Sequence, residues 1–117
     1  MSGRMSRAAL LTLLAAGCAD SPAPLELRVE AGAGITRLWL VPAPGWKINA
    51  LLPPAFEPVG APPVRFTGAR LTPDSAYFAE PPLAVLQGSG PPRGTLRASI
   101  CAIGEQVCRP YVRVFGA

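Results

Sequence analysis

Leu96-Arg-Ala-Ser-Ile-Cys-Ala-Ile-Gly-Glu-Gln-Val-Cys-Arg-Pro-Tyr-Val-Arg-Val-Phe115 alternates on both sides of a central glycine. Leu96, Ala98 and Ile100 alternate with Arg97, Ser99 and Cys101. Cys108 opens a second run, in which Val112 and Val114 alternate with Tyr111, Arg113 and Phe115. A period of two is that of a strand. Gly104-Glu105 supplies a turn, so the two runs fold back as an antiparallel hairpin with Cys101 facing Cys108. Directly opposed residues in such a pair have Cα atoms roughly 4.5 to 5.5 Å apart, within the range of about 4.4 to 6.8 Å that a disulfide accepts. The geometry permits a bond.

That pairing sets odd positions against even ones. Arg97 would lie opposite Val112, and the apolar sets of the two strands would point to opposite faces. A slip of one residue is therefore expected at Pro110, because proline cannot donate to a ladder and favours edges and bulges. The second strand should be irregular.

Outward from the hairpin the same alternation recurs. Leu25, Leu27, Val29 and Ala31 share one face of a first strand, and Gly32-Ala-Gly34 turns it into Ile35–Val41, bulky on both faces and read as a buried strand. These glycines lack the spacing of a phosphate-binding loop, and no helical pattern follows them. Trp46, Ile48, Ala50 and Leu52 alternate with Lys47 and Asn49 in another strand or extended segment. Pro-Pro pairs then begin at Pro53, Pro62, Pro81 and Pro91 and mark strand ends. Short strands or edges are expected between them, at 64–67, 77–79 and 83–87. Turn signals at this spacing belong to an all-β sandwich or barrel, with a core of Leu27, Val29, Leu38, Leu40, Ile100, Val112 and Val114. Trp39 and Trp46 are assigned to the core as well.

With 117 residues, 50% of them hydrophobic, the chain supports one modest domain. Its 12 glycines and 15 prolines make it loop-rich. Arg4 and Arg7 precede the apolar run 8–16, which at about half the roughly 20 residues needed to span a bilayer suits the core of a signal peptide. Ala15-Ala16-Gly17-Cys18 resembles a bacterial lipoprotein lipobox, with Ala15 where that motif usually has leucine; cleavage by an ordinary signal peptidase is the alternative. The expected organisation is a cleaved signal at 1–17, a tether at 18–24 and one β-sandwich domain at 25–117. Cys18 is then the lipidation site, and the chain sits in the bacterial cell envelope, on the periplasmic or outer face. Of three cysteines, acylation of Cys18 leaves Cys101 and Cys108 as a pair in an oxidising compartment.

Several chemistries lack their residues. There is no histidine, which removes the usual Ser-His-Asp and Cys-His triads and most zinc and copper centres. Glu26, Glu30, Glu57, Asp74, Glu80 and Glu105 are too dispersed for shared acid/base work. Loss of Arg4 and Arg7 from the formal +4 leaves nine basic against seven acidic residues, a net +2, and no basic run interleaved with aromatics points to nucleic acid. No cofactor or metal is expected. On spacing alone Cys101 and Cys108 read first as a structural staple, closing an eight-residue loop and contributing about 2.5 kcal/mol.

Trp46-Lys-Ile-Asn, Leu52-Pro-Pro54, Leu96-Arg-Ala-Ser-Ile-Cys101 and Cys108-Arg-Pro110 resemble the N-terminal periplasmic domain family of the thiol:disulfide interchange protein DsbD, over about Leu25 to Phe115. Cys108 is followed by a single proline, where the family commonly has two. The resemblance implies an immunoglobulin-like β-sandwich. It also implies that Cys101 and Cys108 are a redox pair, cycling between dithiol and disulfide with periplasmic thioredoxin-like or other thiol proteins. No Cys-x-x-Cys occurs in the sequence, so the reductant is expected to be another protein. Arg97, Arg109 and Arg113 lie near the pair in sequence and are expected to favour a thiolate, with Glu105 opposing them. Exchange and staple are the two readings.

Overall fold

The computed structural model describes residues 23–116; the expected signal at 1–17, the expected lipidation site Cys18 and most of the expected tether lie outside them. Strand β1 (Leu25–Gly32) turns into β2 (Ile35–Pro42) through Ala33 and Gly34, at φ 54° and 78°. Two successive positive φ values give the two-residue hairpin turn whose twist matches that of the strands it joins. The register runs from Leu25 opposite Pro42 to Gly32 opposite Ile35. On the far side of β2 lies β6 (Leu83–Gln87), completing a three-stranded antiparallel sheet.

The second sheet is centred on β7 (Gly94–Ala102). One edge of β7 pairs with β8 (Cys108–Phe115) over its whole length. Its other edge is shared: β3 (Trp46–Ile48) pairs with residues 100–102, and β4 (Ala55–Pro58) with residues 94–97. The two-residue β5 (Val64–Arg65) adds on outside β4. Thr67 and Leu83 exchange N–H···O=C bonds of 2.9 and 3.0 Å, so the two sheets join along one side and end in the edges β1 and β8. The described residues form an all-β sandwich, as expected.

The Pro-Pro pairs do mark strand ends. Pro54, Pro63 and Pro82 stand immediately before β4, β5 and β6, and Pro92 two residues before β7. The segment 83–87 forms β6 as expected, whereas Tyr77 makes only an isolated bridge to Asn49.

Leu25, Leu38, Leu40, Ile48, Phe56, Phe66, Leu96 and Ile100 are essentially inaccessible and fill the space between the sheets. Each such side chain contributes about 1.5 to 3 kcal/mol on leaving water. Of the expected core, Leu38, Leu40 and Ile100 are buried and Leu27 packs against them. Val29, Val112 and Val114 are 43, 54 and 59% exposed and are not core.

The expected slip at Pro110 does not occur. Pairing is continuous from Cys101 opposite Cys108 through Ser99 opposite Pro110 to Gly94 opposite Phe115, and Arg97 does face Val112. The valines of β8 therefore lie on the outer face, and Tyr111 and Phe115 pack against the core in their place. Phe115 lies 6.2 Å from the Phe56 ring, centroid to centroid. Trp46 packs against the core too, but Trp39 does not. Thr36, Leu38 and Leu40 take the inner face of β2, which places Trp39 on the outer face, half-buried beside Arg28 and Pro81.

Candidate functional site

Cys101 and Cys108 end β7 and begin β8 and are joined in a disulfide, with Cα atoms 4.1 Å apart. Gly104, at φ 90°, occupies the third position of a turn closed by the Glu105 N–H on the Ala102 carbonyl, which returns the chain to β8. The sulfurs lie on the outer face of the sheet, away from the core. Their exposure differs nonetheless: Cys101 is fully buried and Cys108 only half-buried.

The cover over Cys101 comes from far away in sequence. Lys47 sits directly opposite Cys101 on β3, and Asn49 donates its backbone N–H to the Ser99 carbonyl at 2.9 Å. The Asn49 side-chain amide also donates to the Ser99 hydroxyl, at 3.3 Å, and the Asn49 Oδ1 accepts the Leu51 N–H at 2.9 Å. Tyr77 bridges Asn49, and the Lys47 ammonium lies 3.9 Å from the centre of its ring. That distance is within reach of a cation–π contact.

A tight turn delivers Tyr77. The Thr72 N–H donates to the Tyr77 carbonyl at 2.8 Å, and Asp74 accepts bonds from the Thr72 hydroxyl at 2.6 Å and the Ala76 N–H at 3.1 Å. The Thr72 bond, supported by the Ala76 N–H, holds the Asp74 carboxyl below its ordinary value. Both bonds favour the charged form.

Beside Cys108 the surface opens into a hollow of about 520 Å³, walled by Leu52, Pro53, Arg97, Ser99 and Pro110. Leu52 in its wall is mostly exposed, as are Leu51 next to it in sequence and Val112 on β8. All four segments singled out in the sequence meet here. Trp46-Lys-Ile-Asn pairs with β7 at the cysteine, Leu52-Pro-Pro54 lines the hollow, and the two cysteine segments form its floor.

The arginines are not arranged as expected. Arg109 and Arg113 lie on the opposite face of the sheet from the sulfurs, stacked over the rings of Trp46 at 4.7 Å and Phe115 at 4.8 Å. Arg97 shares the outer face but is bonded to Glu57 at 3.0 Å. Lys47 is instead the cation that the register sets against Cys101. Sequence reasoning passed over Lys47, Tyr77 and Ser99 as site residues; the signal for Lys47 was its place inside the Trp46–Asn49 motif.

Among the described residues no three His, Cys, Asp or Glu side chains gather as a metal site, and no helix is long and apolar enough to cross a membrane. Comparison with protein-family models, with curated proteins and with solved structures finds no match for this chain.

Proposed function

We propose that this is an exported, lipid-anchored domain, of the immunoglobulin-like type found in the DsbD N-terminal family, that exchanges thiols and disulfides with other periplasmic proteins through Cys101 and Cys108. The observation that carries this reading is the asymmetry of the pair: Cys101 is fully buried, and Cys108 is half-buried and borders a largely apolar surface hollow of about 520 Å³. A merely structural staple needs neither the hollow nor the exposed Leu52 in its wall.

In the proposed step, a thiolate of a partner dithiol attacks Sγ of Cys108, and the bond between the two sulfurs breaks. Cys101 leaves as a thiolate and takes up a proton. The partner's second thiolate then attacks its own sulfur in the mixed disulfide and releases Cys108. The partner is oxidised to a disulfide and this domain gains two electrons and two protons. Exchange proceeds through such mixed disulfides, and a leaving thiol of lower pKa leaves faster. A cation beside a cysteine favours its thiolate, and Lys47 is the residue that the register sets opposite Cys101.

The second reading, a binding or structural lipoprotein with a structural disulfide, is favoured by the complete burial of Cys101. Trapping separates the two. With the full chain carrying Cys101→Ala, Cys108 should accumulate mixed disulfides with thiol proteins of an envelope extract, whereas Cys108→Ala should not. Absence of adducts from both variants would leave the staple reading. The anchor is tested separately: Cys18→Ala should release the protein from the membrane fraction, and unchanged fractionation would reject lipidation.

A further inference from the structure

The backbone of β8 shows which of its groups are unused. The Ser99 carbonyl is bonded to Asn49 on the β3 side of β7, so Ser99 directs its hydrogen-bonding groups away from β8. Opposed residues in an antiparallel pair alternate between hydrogen-bonded and non-hydrogen-bonded pairs, the latter with the closer Cα atoms. Ser99 opposite Pro110 is thus a non-bonded pair, and so is Cys101 opposite Cys108, in keeping with their 4.1 Å separation. By the same parity, Cys108, Pro110, Val112 and Val114 turn their backbone groups away from β7. Proline loses nothing at such a position, which explains the unbroken register.

Beyond β8 no strand follows among the described residues. The outward groups are the N–H and C=O of Cys108, Val112 and Val114 and the C=O of Pro110. Such a row is a template for another strand, and here Pro110, which offers no N–H, and the charged Arg109 and Arg113 restrict which strands can pair with it. Here the outer face beside the row carries Val112 and Val114, both more than half exposed. The other face carries Arg109 and Arg113 with no carboxylate on the strand, and neither arginine joins any ion pair among the described residues.

We propose that the free edge of β8 accepts an added strand from an acidic, extended segment of a partner protein, with two carboxylates four residues apart. The spacing follows from Arg109 and Arg113, which stand on one face of the strand with Tyr111 between them. The residues of the partner that face Val112 and Pro110 fall on the other side and are apolar. Main-chain bonds supply the affinity of such strand addition and the alternating side chains its specificity. A second copy fits less well, because it would gather two pairs of arginines on one ribbon face without a carboxylate among them. The inference stands apart from the exchange reading, since it involves no thiol chemistry.

The test uses the full chain in detergent and the synthetic peptide acetyl-STEVTVETS-amide, with amide hydrogen exchange and fluorescence anisotropy as readouts. The peptide should bind and protect the N–H groups of Val112 and Val114. Replacing both of its glutamates by lysine should weaken binding about tenfold, as expected for the loss of two exposed charge pairs. Val112→Pro, which removes an outward N–H that β7 does not use, should abolish binding while the thermal transition persists. Should that variant unfold, a peptide N-methylated at both valines makes the same test from the other side and should not bind. Failure to protect Val112 and Val114, or equal binding of the lysine peptide, would overturn the proposal. Protection of the same amides by rising protein concentration alone would overturn it in favour of a second copy.

Discussion

Two eight-residue strands, β1 and β8, edge the sandwich, and they meet solvent in different ways. On β1 the outer face carries Glu26, Arg28 and Glu30, and these charges are neutralised locally: Glu26 pairs with Arg28 at 3.5 Å, and Glu30 with Arg37 of β2 at 3.7 Å. On β8 the outer face is proline and valine, and the inner-face arginines rest on aromatic rings without an acidic partner. A disulfide fastens β8 to its neighbour at one end, whereas β1 and β2, paired along their length and joined by a two-residue turn, carry no crosslink. Similar alternation thus yields one electrically closed edge and one edge left open beside a disulfide. The difference lies in which residue types fall on the outer face, and the register decides that.

The largest expected effect is at the joint where β8 ends. Gly94, at φ 155°, pairs with both Pro58 and Phe115, and a Cβ there would run into the Glu57 carbonyl. Gly94→Ala should cost about 3 kcal/mol, combining backbone strain with an overpacked contact. The shift in the urea midpoint measures it; a loss below about 1 kcal/mol would mean that β8 is not held at this point. Next comes the staple: the double variant Cys101→Ala, Cys108→Ala should lose about 2.5 kcal/mol. Amide exchange should rise on β8 and leave β1 unchanged, and an equal rise on both edges would remove the distinction between them.

Neutralising β1 should matter less. Glu26→Gln and Glu30→Gln each remove an exposed ion pair and should change stability by under about 1 kcal/mol. A larger loss would show that β1 depends on its charges for folding. The smallest effect concerns the turn that carries Tyr77. Because the Asp74 pKa is depressed in the folded protein, its contribution is present above the ordinary value of 3.8 and is lost as the pH falls through the folded value. Exchange of the Ala76 and Tyr77 amides should quicken only below that range. In Asp74→Asn this acid step should be absent.

The hairpin, the cysteine pairing and the strand ends were legible because each rests on local signals: period two, a Gly turn and paired prolines. The inner face of β8 was not. Val112 and Val114 look like core by composition, yet pairing Cys101 with Cys108 fixes their parity, and the aromatic rings of Tyr111 and Phe115 take the inner side. The expected slip at Pro110 failed for a related reason, since its missing N–H points away from the ladder. The unequal exposure of the two sulfurs was also out of reach. Cys101 sits on the inner strand β7, flanked by β3 and β8, whereas Cys108 sits on the edge strand, and the covering strand β3 is brought up by pairings that span some fifty residues in the case of Asn49 and Ser99. No local pattern encodes such a cover.

Whether the Cys101–Cys108 pair serves exchange is tested most directly by its reduction potential. Equilibrating the full chain with glutathione buffers and counting alkylated thiols measures it. Structural disulfides of exported proteins lie below about −300 mV, while exchanging ones lie higher. The exchange account predicts a potential above that limit, with Cys108 alkylated faster than Cys101 once the bond is reduced. A potential below it, with both thiols equally slow to react, would contradict the account and leave the disulfide a staple.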